Sequence, residues 1–199
     1  MLTLARSAGI AGAMLTALLF IHPQPAPAGD ATPPLETVGS VDLDRYAGIW
    51  HEVARLPNRF QKQCVADVTA EYRLRDDGMI DVTNRCRESN GEFDQARGVA
   101  RVVDPATRSK LEVSFVSLFG WQLFWGDYWI IELDPDYRHV VIATPSRRYA
   151  WVLARTDTIA PSTRARLEKI LRGAGYDPGE MRWVTSQHAE NTDAADPTF

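Results

Sequence analysis

The stretch Gly48-Ile49-Trp50-His51-Glu52-Val53-Ala54-Arg55 decides the fold, together with Tyr149-Ala150-Trp151-Val152-Leu153-Ala154-Arg155 near the far end of the chain. A glycine two residues before a tryptophan lets the backbone bend tightly while a bulky indole plugs the floor of a closed sheet. Arg155 can lie flat across that indole in a cation–π contact, and its remaining N–H groups can hold backbone carbonyls. A third stretch, Gly126-Asp127-Tyr128, opens another strand between them. The order and spacing of the three stretches indicate one closed β-structure.

Alternation of apolar and polar residues with a period of two dominates residues 50–153. In residues 68–75 the even positions are apolar, and in residues 111–115 the odd positions are apolar. Such a pattern is typical of strands with one dry face and one wet face. Turn-forming groups such as Asp76-Asp77-Gly78 and Asp134-Pro135-Asp136 separate these segments. The pattern predicts an all-β chain that forms an eight-stranded antiparallel up-and-down β-barrel.

One α-helix is predicted after the strands. Pro161 suits its first position, and a glycine at position 173 or 175 can end it. Its apolar residues recur at spacings i, i+3, i+4 and i+7 and are Leu167, Ile170, Leu171 and Ala174. We expect this stripe to pack against the outside of the barrel and Trp183-Val184 to form a short final strand.

Six stretches of the chain resemble the lipocalins, which are small β-barrels with an internal cavity for apolar ligands. The stretches are Tyr46-Ala47-Gly48-Ile49-Trp50-His51-Glu52-Val53-Ala54-Arg55, Arg59-Phe60, Val68-Thr69-Ala70-Glu71-Tyr72, Leu111-Glu112-Val113-Ser114-Phe115, Asp134-Pro135-Asp136-Tyr137-Arg138 and Arg155-Thr156. The resemblance is nearest to the bacterial outer-membrane and apolipoprotein-D-like branch. It implies the barrel fold, a ligand-binding role, and structural roles for Gly48, Trp50, Asp127 and Arg155, with Trp50 and Arg155 closing the floor.

Inward-facing residues are the candidate ligand contacts. A barrel of eight strands is just wide enough to be filled by side chains or to hold one small ligand. Inward small residues favour a void, and those expected here are Ala54, Ala66, Ala70, Gly98 and Ala100. Burial of an acyl chain of about sixteen carbons would release about 13 kcal/mol before the costs of association, at roughly 0.8 kcal/mol per methylene; a filled barrel without ligand is the alternative. The candidate ligand contacts are Val68, Tyr72, Val82, Val113, Phe115, Tyr128 and Trp151.

Glu52 is a charged residue at an inward position, because it shares the parity of Trp50 and Ala54. A buried carboxylate needs a partner that compensates its lost hydration. We expect Glu52 to form a core ion pair with an arginine in the barrel floor. Contact with a ligand headgroup is the alternative.

Cys64 and Cys86 are the two cysteines of the chain, and an exported location permits a disulfide between them. Both fall on the inward parity of two strands that the turn at Asp76-Asp77-Gly78 connects. A simple register would place Cys64 opposite residue 90, several residues past Cys86. We predict a Cys64–Cys86 disulfide, which requires a bulge or an inward curl at the start of the first strand; two free buried thiols are the alternative.

The two ends of the chain are predicted to lie outside the barrel. Residues 1–28 contain Arg6, an apolar run and the triplet Ala26-Pro27-Ala28, which is the pattern of a cleaved signal peptide; a membrane anchor is the alternative. We predict a flexible lead-in over residues 29–40, the barrel domain over 41–187 and a disordered tail over 188–199. We expect an exported protein, periplasmic or secreted, with no obvious lipid anchor, because the first cysteine is Cys64.

Charge and motifs argue against several classes of function. The formal net charge is −4, or −5 once Arg6 leaves with the leader, and the chain has no basic block, so nucleic acid is not an expected partner. The sequence lacks the motifs of serine hydrolases, zinc proteases, dithiol redox proteins and phosphate-binding loops. We therefore expect no catalytic residues, no metal and no cofactor.

The resemblance implies a fatty acid or lysophospholipid as the ligand. We expect a non-catalytic protein that binds this ligand and transports or scavenges it in the cell envelope. One alternative is a lipid-modifying or cofactor-using enzyme on the same barrel, with Cys64 as the candidate nucleophile. The other is a membrane-associated interaction protein.

The segment Val116-Ser117-Leu118-Phe119-Gly120-Trp121-Gln122-Leu123-Phe124-Trp125 joins two barrel strands although it is uncharged and mostly large and apolar. An exposed apolar patch of this kind is an interaction site. The part from Leu118 to Trp125 can touch a membrane transiently to collect lipid, form a dimer contact, or fold back as a lid over the mouth. Tryptophan and phenylalanine suit the first use, because both favour the bilayer surface.

Overall fold

The computed structural model describes residues 33–184, and the predicted leader (1–28) and tail (188–199) lie outside these residues. In chain order the elements are α1 (Leu43–Tyr46), β1 (Gly48–Arg55), β2 (Cys64–Leu74), β3 (Ile80–Glu88), β4 (Phe93–Val102), β5 (Lys110–Ser114), β6 (Val116–Leu118), β7 (Trp121–Leu123), β8 (Gly126–Leu133), β9 (His139–Ala143), β10 (Ala150–Ala154), α2 (Pro161–Gly173), a 3₁₀ turn (Pro178–Glu180) and β11 (Arg182–Trp183). Among these residues, strands β6 and β7 pair only with each other.

Eight of the other strands form a closed antiparallel barrel, and β11 pairs with the edge of β1 outside the barrel order. Each pairs with the next in the order β1-β2-β3-β4-β5-β8-β9-β10. The sheet closes because β10 also pairs with β1, where Trp151 lies opposite Arg55 and Ala154 lies opposite His51. This confirms the eight-stranded barrel that the alternation predicted. Within residues 33–184, no helix is both long enough and apolar enough to span a bilayer.

The connections between strands alternate between the two ends of the barrel. The floor is the end that carries α1 and the β2–β3, β4–β5 and β8–β9 connections. The opposite end, the mouth, carries the β1–β2, β3–β4 and β9–β10 connections and the β6–β7 hairpin. A residue's place along its strand therefore tells how deep in the lumen it lies.

Buried apolar residues form two clusters, one inside the lumen and one on the outer face of the barrel beneath α2. The lumen cluster includes Trp50, Tyr72, Val82, Ile130 and Ile142. The outer cluster includes Val53, Ala54, Val152, Leu167 and Leu171. Alternate residues of β9 and β10 contribute to the two clusters in turn, so both faces of these strands are buried.

A bulge in β1 moves one predicted lumen residue to the outer face. The pairing with β10 shifts between Glu52 and Ala54, which makes Val53 the extra residue. Ala54 therefore packs with Val53 in the outer cluster, and the prediction that it faces the lumen is wrong. One inserted residue is enough for this, because it reverses the parity of every residue that follows.

Helix α2 covers the outer face as predicted. It begins at Pro161 and ends at Gly173. Leu167 and Leu171 are fully buried against the barrel, and Ile170 and Ala174 pack at the edge of the same cluster. The short final strand, β11, pairs with β1 at Ala54 and Arg55.

The predicted disulfide between Cys64 and Cys86 is confirmed, and the Cα atoms are 5.4 Å apart. The bridge depends on the predicted irregularity at the start of β2, where the pairing with β3 shifts twice before Thr69. These shifts place Cys64 opposite Glu88, two residues from Cys86. The bridge joins the mouth ends of β2 and β3.

The segment that precedes α1 lies along the barrel. Its described part has no helix or strand before Leu43. Leu35 is nevertheless buried in the outer cluster, and the Val38 and Val41 amides donate hydrogen bonds to the Ile130 and Thr107 carbonyls. The Asp42 side chain caps α1, which lies across the floor.

Candidate functional site

The floor of the barrel is sealed by Trp50 beneath the guanidinium of Arg155. Trp50 is fully buried, and its Nε1–H donates to the Tyr46 carbonyl at 2.8 Å. The Arg155 Cζ lies 3.9 Å from the centre of the indole ring. Its Nη1 donates to the Ile49 carbonyl at 2.8 Å, and its Nη2 donates to the Arg45 carbonyl at 2.7 Å. One cation thus binds both the indole ring and the backbone carbonyls that surround it at the floor.

Gly48 is required beside this contact. Its φ of 95° lies in the region that only glycine adopts without strain. A Cβ at this position would lie 3.4 Å from Nη1 of Arg155. Asp127, the fourth residue of the predicted structural set, is exposed on the outer face opposite Glu112.

Three tyrosines lie above the floor with their hydroxyls joined. The Tyr128 hydroxyl is 2.6 Å from that of Tyr46 and 2.9 Å from that of Tyr72. Burial raises the pKa of all three phenols, and it raises that of Tyr72 to about 12. The three groups are therefore neutral hydrogen-bonding groups at physiological pH. Tyr46 was missed from the sequence, because it precedes the first strand and alternation does not reach it.

Replacing the central tyrosine should cost more stability than replacing either end of the chain of hydroxyls. Tyr128→Phe removes both hydrogen bonds, and we expect it to lower the free energy of unfolding by about 2 kcal/mol. Tyr46→Phe and Tyr72→Phe each remove one bond and should cost about 1 kcal/mol. Urea denaturation of the three variants measures the order. Equal losses in all three would show that the hydroxyl chain does not act as a unit.

The raised phenol pKa values also predict a loss of stability in alkali. A phenol whose pKa is higher in the folded than in the unfolded state binds its proton more tightly when folded. Its contribution is complete below the unfolded value of about 10 and is lost as the pH rises toward about 12. We expect the urea midpoint to fall steeply above pH 10, and to fall less steeply in Tyr72→Phe. An unchanged slope in that variant would contradict the assignment.

The lower lumen, around the three tyrosines, is apolar and closely packed. A void of about 10 Å³ lies there, close to the space of one water molecule. Its walls are formed by Leu43, Tyr46, Tyr72, Ile80, Val82, Ala100, Leu111, Val113, Tyr128 and Ile130. Four of the predicted ligand contacts, Tyr72, Val82, Val113 and Tyr128, therefore meet around one space.

The expected small residues leave less room than the sequence indicated. Ala54 faces α2, and Ala66 is exposed in the irregular part of β2. Gly98 does face the lumen, but the Phe115 ring fills the space that a side chain at this position would take. A Cβ added to Gly98 would lie 2.7 Å from Cδ1 of that ring. Close packing by one aromatic ring has replaced the predicted gap.

The other three predicted contacts lie nearer the mouth. Phe115 follows the end of β5 and is 40% exposed. Trp151 packs against the lumen cluster. Val68 is half-buried in the irregular part of β2, and it belongs to neither buried cluster. The bulged pairing there removes the regular alternation from which its inward direction was predicted.

A polar network occupies the upper lumen. Arg55 donates from Nη1 to Glu52 Oε1, and the two side chains are 13% and 4% exposed. The Gln61 side chain reaches in from the β1–β2 connection and donates from Nε2 to Glu52 Oε2 at 2.7 Å. Its Oε1 accepts from Trp151 Nε1 at 3.0 Å. The expected ion pair of Glu52 exists, but its partner is Arg55 near the mouth and not an arginine of the floor.

The sequence contained no signal for Arg55 and Gln61. Regular alternation would turn Arg55 outward, and only the bulge at Val53 brings it back to the side of Glu52. Gln61 lies in a connection without secondary structure. Within residues 33–184, no three His, Cys, Asp or Glu side chains come together as a metal site would require.

The β6–β7 hairpin projects from the mouth with its aromatic residues exposed. Phe119 is 93% exposed, Phe124 82% and Trp121 76%. Phe119 and Gly120 form its two-residue turn, and both have positive φ. Phe124 also has a positive φ, of 57°. Bulky residues rarely adopt this conformation, so the hairpin exposes two phenylalanines at a cost in backbone energy.

Comparison with known proteins agrees with this architecture. A family model of the lipocalin-like domain matches residues 41–186. The outer membrane lipoprotein Blc of Escherichia coli (strain K12) is 38% identical over 156 residues, which cover 77% of this chain and 85% of Blc. Apolipoprotein D of Macaca fascicularis is 31% identical over 163 residues, which cover 78% of this chain and 81% of the relative.

The solved structure of insecticyanin from the tobacco hornworm Manduca sexta has the same fold. It superposes with a TM-score of 0.62 over 79% of this chain and 87% of insecticyanin, at 22% identity. The family match spans most of the chain, and it includes the Trp50–Arg155 contact and the closed eight-stranded barrel described above. The chain therefore belongs to the lipocalin family.

Proposed function

We propose that this protein binds one elongated apolar ligand, a fatty acid or lysophospholipid, and transports or scavenges it without catalysing a reaction. Lipocalins bind small hydrophobic ligands. The observation that carries the proposal is an apolar lumen sealed at the floor by Trp50 and bounded at the mouth by Phe115 and Gln61. A site closed at one end favours a ligand with one apolar tail and one polar end.

Binding on this proposal requires side chains at the mouth to move. The residual void of about 10 Å³ is far smaller than an acyl chain. Phe115 and Gln61 are suited to move, because Phe115 is 40% exposed and Gln61 lies in an irregular connection. The apolar area that the ligand then buries offsets the cost of opening.

The proposed place of action is the cell envelope or the space outside the cell. The Cys64–Cys86 disulfide suits an oxidising compartment. The relative from Escherichia coli is an outer membrane lipoprotein by name, which supports export. We propose that the protein is periplasmic or secreted.

Lipid analysis of the purified protein tests this function. Native mass spectrometry of protein isolated from the periplasm should show about one fatty acid or lysophospholipid per chain. Delipidated protein should then bind added oleate or oleoyl lysophosphatidylethanolamine at micromolar or lower concentration and return it chemically unchanged. Absence of binding would overturn the proposal, and release of a lipid product would favour an enzyme.

The exposed hairpin supports a second part of the proposal, which is a transient membrane contact through the segment from Leu118 to Trp125. Aromatic residues at this position would lie in the bilayer interface and bring the mouth to the lipid. The side chains with 76–93% exposure do not fold back over the mouth. A dimer contact is the other use of such a patch, and it would show as a concentration-dependent change in mass.

Phe119→Asn should separate membrane contact from stability. Asparagine tolerates positive φ, so we expect the variant to gain about 0.5–1 kcal/mol of unfolding free energy. It should bind vesicles of phosphatidylethanolamine and phosphatidylglycerol about tenfold more weakly, because one inserted ring is lost. Sedimentation with vesicles measures this. Ile49→Asn, at an exposed apolar position near the floor, is the control and should bind like the native protein. Equal loss in both variants would contradict a contact through the hairpin.

A further inference from the structure

The lumen has two polar regions that could receive the polar end of a ligand. The three tyrosine hydroxyls lie near the sealed floor and are already bonded to one another. The Glu52–Arg55 pair lies in the upper lumen, close to the mouth. The Arg155 guanidinium at the floor is bound to Trp50 and to backbone carbonyls, whereas the second region carries a cation close to the mouth. A tail that enters first would leave its polar end there.

Arg55 has hydrogen-bonding capacity to spare. Its guanidinium carries five N–H groups. One donates to Glu52, and another donates from Nη2 to the Cys64 carbonyl at 3.3 Å. Among the described residues, the other three have no hydrogen-bond acceptor. A guanidinium binds a carboxylate or phosphate through two parallel bonds, and Arg55 has the free donors for this.

Glu52 occupies the place of such an oxyanion. Its carboxylate accepts from Arg55 on one oxygen and from Gln61 on the other. Gln61 is held in turn by Trp151 and by Asn58, whose Nδ2 donates to Gln61 Oε1 at 2.8 Å. The internal carboxylate thus fastens the β1–β2 connection over the mouth by the same contacts that a ligand headgroup would use.

We propose that Arg55 is the headgroup site of the lumen and selects ligands with an oxyanion, carboxylate or phosphate, which displaces Glu52 from it. The inference rests on the proposed function and adds the chemical class of the headgroup and the residue that binds it. Displacement also frees Gln61, so binding of the headgroup and opening of the mouth are one event. Neutral lipids of the same chain length leave the ion pair intact and bind more weakly.

The charge of Glu52 couples this exchange to pH. Burial raises the pKa of the Glu52 carboxyl, against the lowering effect of Arg55 and the hydrogen bond from Gln61. From β2, Tyr72 interacts electrostatically with Glu52 and stays neutral, because burial raises its pKa to about 12. From β10, Leu153 and Trp151 face Glu52 and do not titrate. Proton uptake by Glu52 at low pH removes the competing charge, so oxyanion binding should tighten as the pH falls.

Two ligands with one acyl chain test the headgroup site. Oleate and oleyl alcohol differ only in the charged group, and we expect native protein to bind oleate at least tenfold more tightly. Oleoyl lysophosphatidic acid distinguishes a preference for phosphate from one for carboxylate. Glu52→Gln should bind oleate more tightly than native protein, since the competing carboxylate is gone, and its affinity for oleyl alcohol should change little.

Arg55→Met alone would leave Glu52 buried without a counter-ion and could unfold the chain. The double variant Glu52→Gln/Arg55→Met is neutral and avoids this, and it should bind oleate and oleyl alcohol equally. Opposite changes in oleate affinity in the single and the double variant are not expected of residues that only support the fold. An unchanged preference for oleate in the double variant would overturn the headgroup site and leave the proposed function standing. Failure of native protein to bind either ligand would overturn both.

A ligand of fixed charge isolates the pH effect. Hexadecanesulfonate stays anionic between pH 5 and pH 8, so a change in its affinity reports on the protein. We expect native protein to bind it more tightly at pH 5 than at pH 8, and Glu52→Gln to bind it equally at both. The same pH dependence in both proteins would overturn the displacement of Glu52.

Discussion

Trp50→Ala is expected to lower the free energy of unfolding by about 4 kcal/mol, because it empties the floor of the barrel. The indole is fully buried, holds the Tyr46 carbonyl and lies beneath Arg155. Its removal leaves a cavity at the floor and takes the ring from beneath a guanidinium that binds several carbonyls. For a domain of this size the melting temperature should fall by about 10 °C. Urea denaturation and calorimetry measure the two quantities.

Trp121→Ala is the matched control, because it removes the same side chain where it is 76% exposed. We expect a change within about 0.5 kcal/mol. Trp50→Phe keeps a ring over the floor and should cost less than Trp50→Ala. Similar losses in Trp50→Ala and Trp121→Ala would show that the contact with Arg155 does not hold the floor together.

Phe115→Glu is expected to weaken binding of oleate and of oleyl alcohol by about 100-fold. The Phe115 ring fills the place above Gly98, at the mouth of the lumen. A carboxylate there must lose its hydration for an acyl chain to pass, at a cost of about 2–3 kcal/mol. The residue is 40% exposed, so the variant should fold, and near-ultraviolet circular dichroism checks this. Loss of the neutral ligand as well distinguishes blocked access from repulsion of the oleate charge.

Phe119→Glu is the control, because it places the same charge at the tip of the hairpin, 93% exposed. It should bind both soluble ligands normally and lose vesicle binding. Phe115→Glu should do the reverse. Normal ligand binding by Phe115→Glu would exclude the mouth as the route into the lumen and contradict the proposed function of the barrel.

The elements with regular periodicity were predictable from the sequence. Alternation identified the strands around Tyr72, Val82 and Val113, and all three side chains line the residual void. The helix was predicted from Pro161 and from the spacing of Leu167 and Leu171. Local pattern is sufficient in these cases because burial on one face repeats with the period of the element itself.

Irregular backbone limited the prediction of the site. The bulge at Val53 turned Ala54 outward and brought Arg55 to Glu52. The shifts in β2 made the disulfide of Cys64 feasible and removed Val68 from regular alternation. An inserted residue changes no local propensity, so single-sequence reasoning cannot place it unless an independent constraint, such as the disulfide, demands it.

By itself the sequence determined the barrel and the outer helix, because both follow from periodicity. The resemblance to a known family assigned the Trp50–Arg155 floor, and the Cys64–Cys86 disulfide was predicted with two free thiols as the alternative. Only the tertiary structure decided how full the lumen is and which arginine meets Glu52. Those outcomes depend on side chains distant in sequence that compete for one space, as Phe115 does at Gly98 and Gln61 does at Trp151. Packing of this kind is settled by the volume and hydrogen-bonding groups of all neighbours together, and no single segment contains that information.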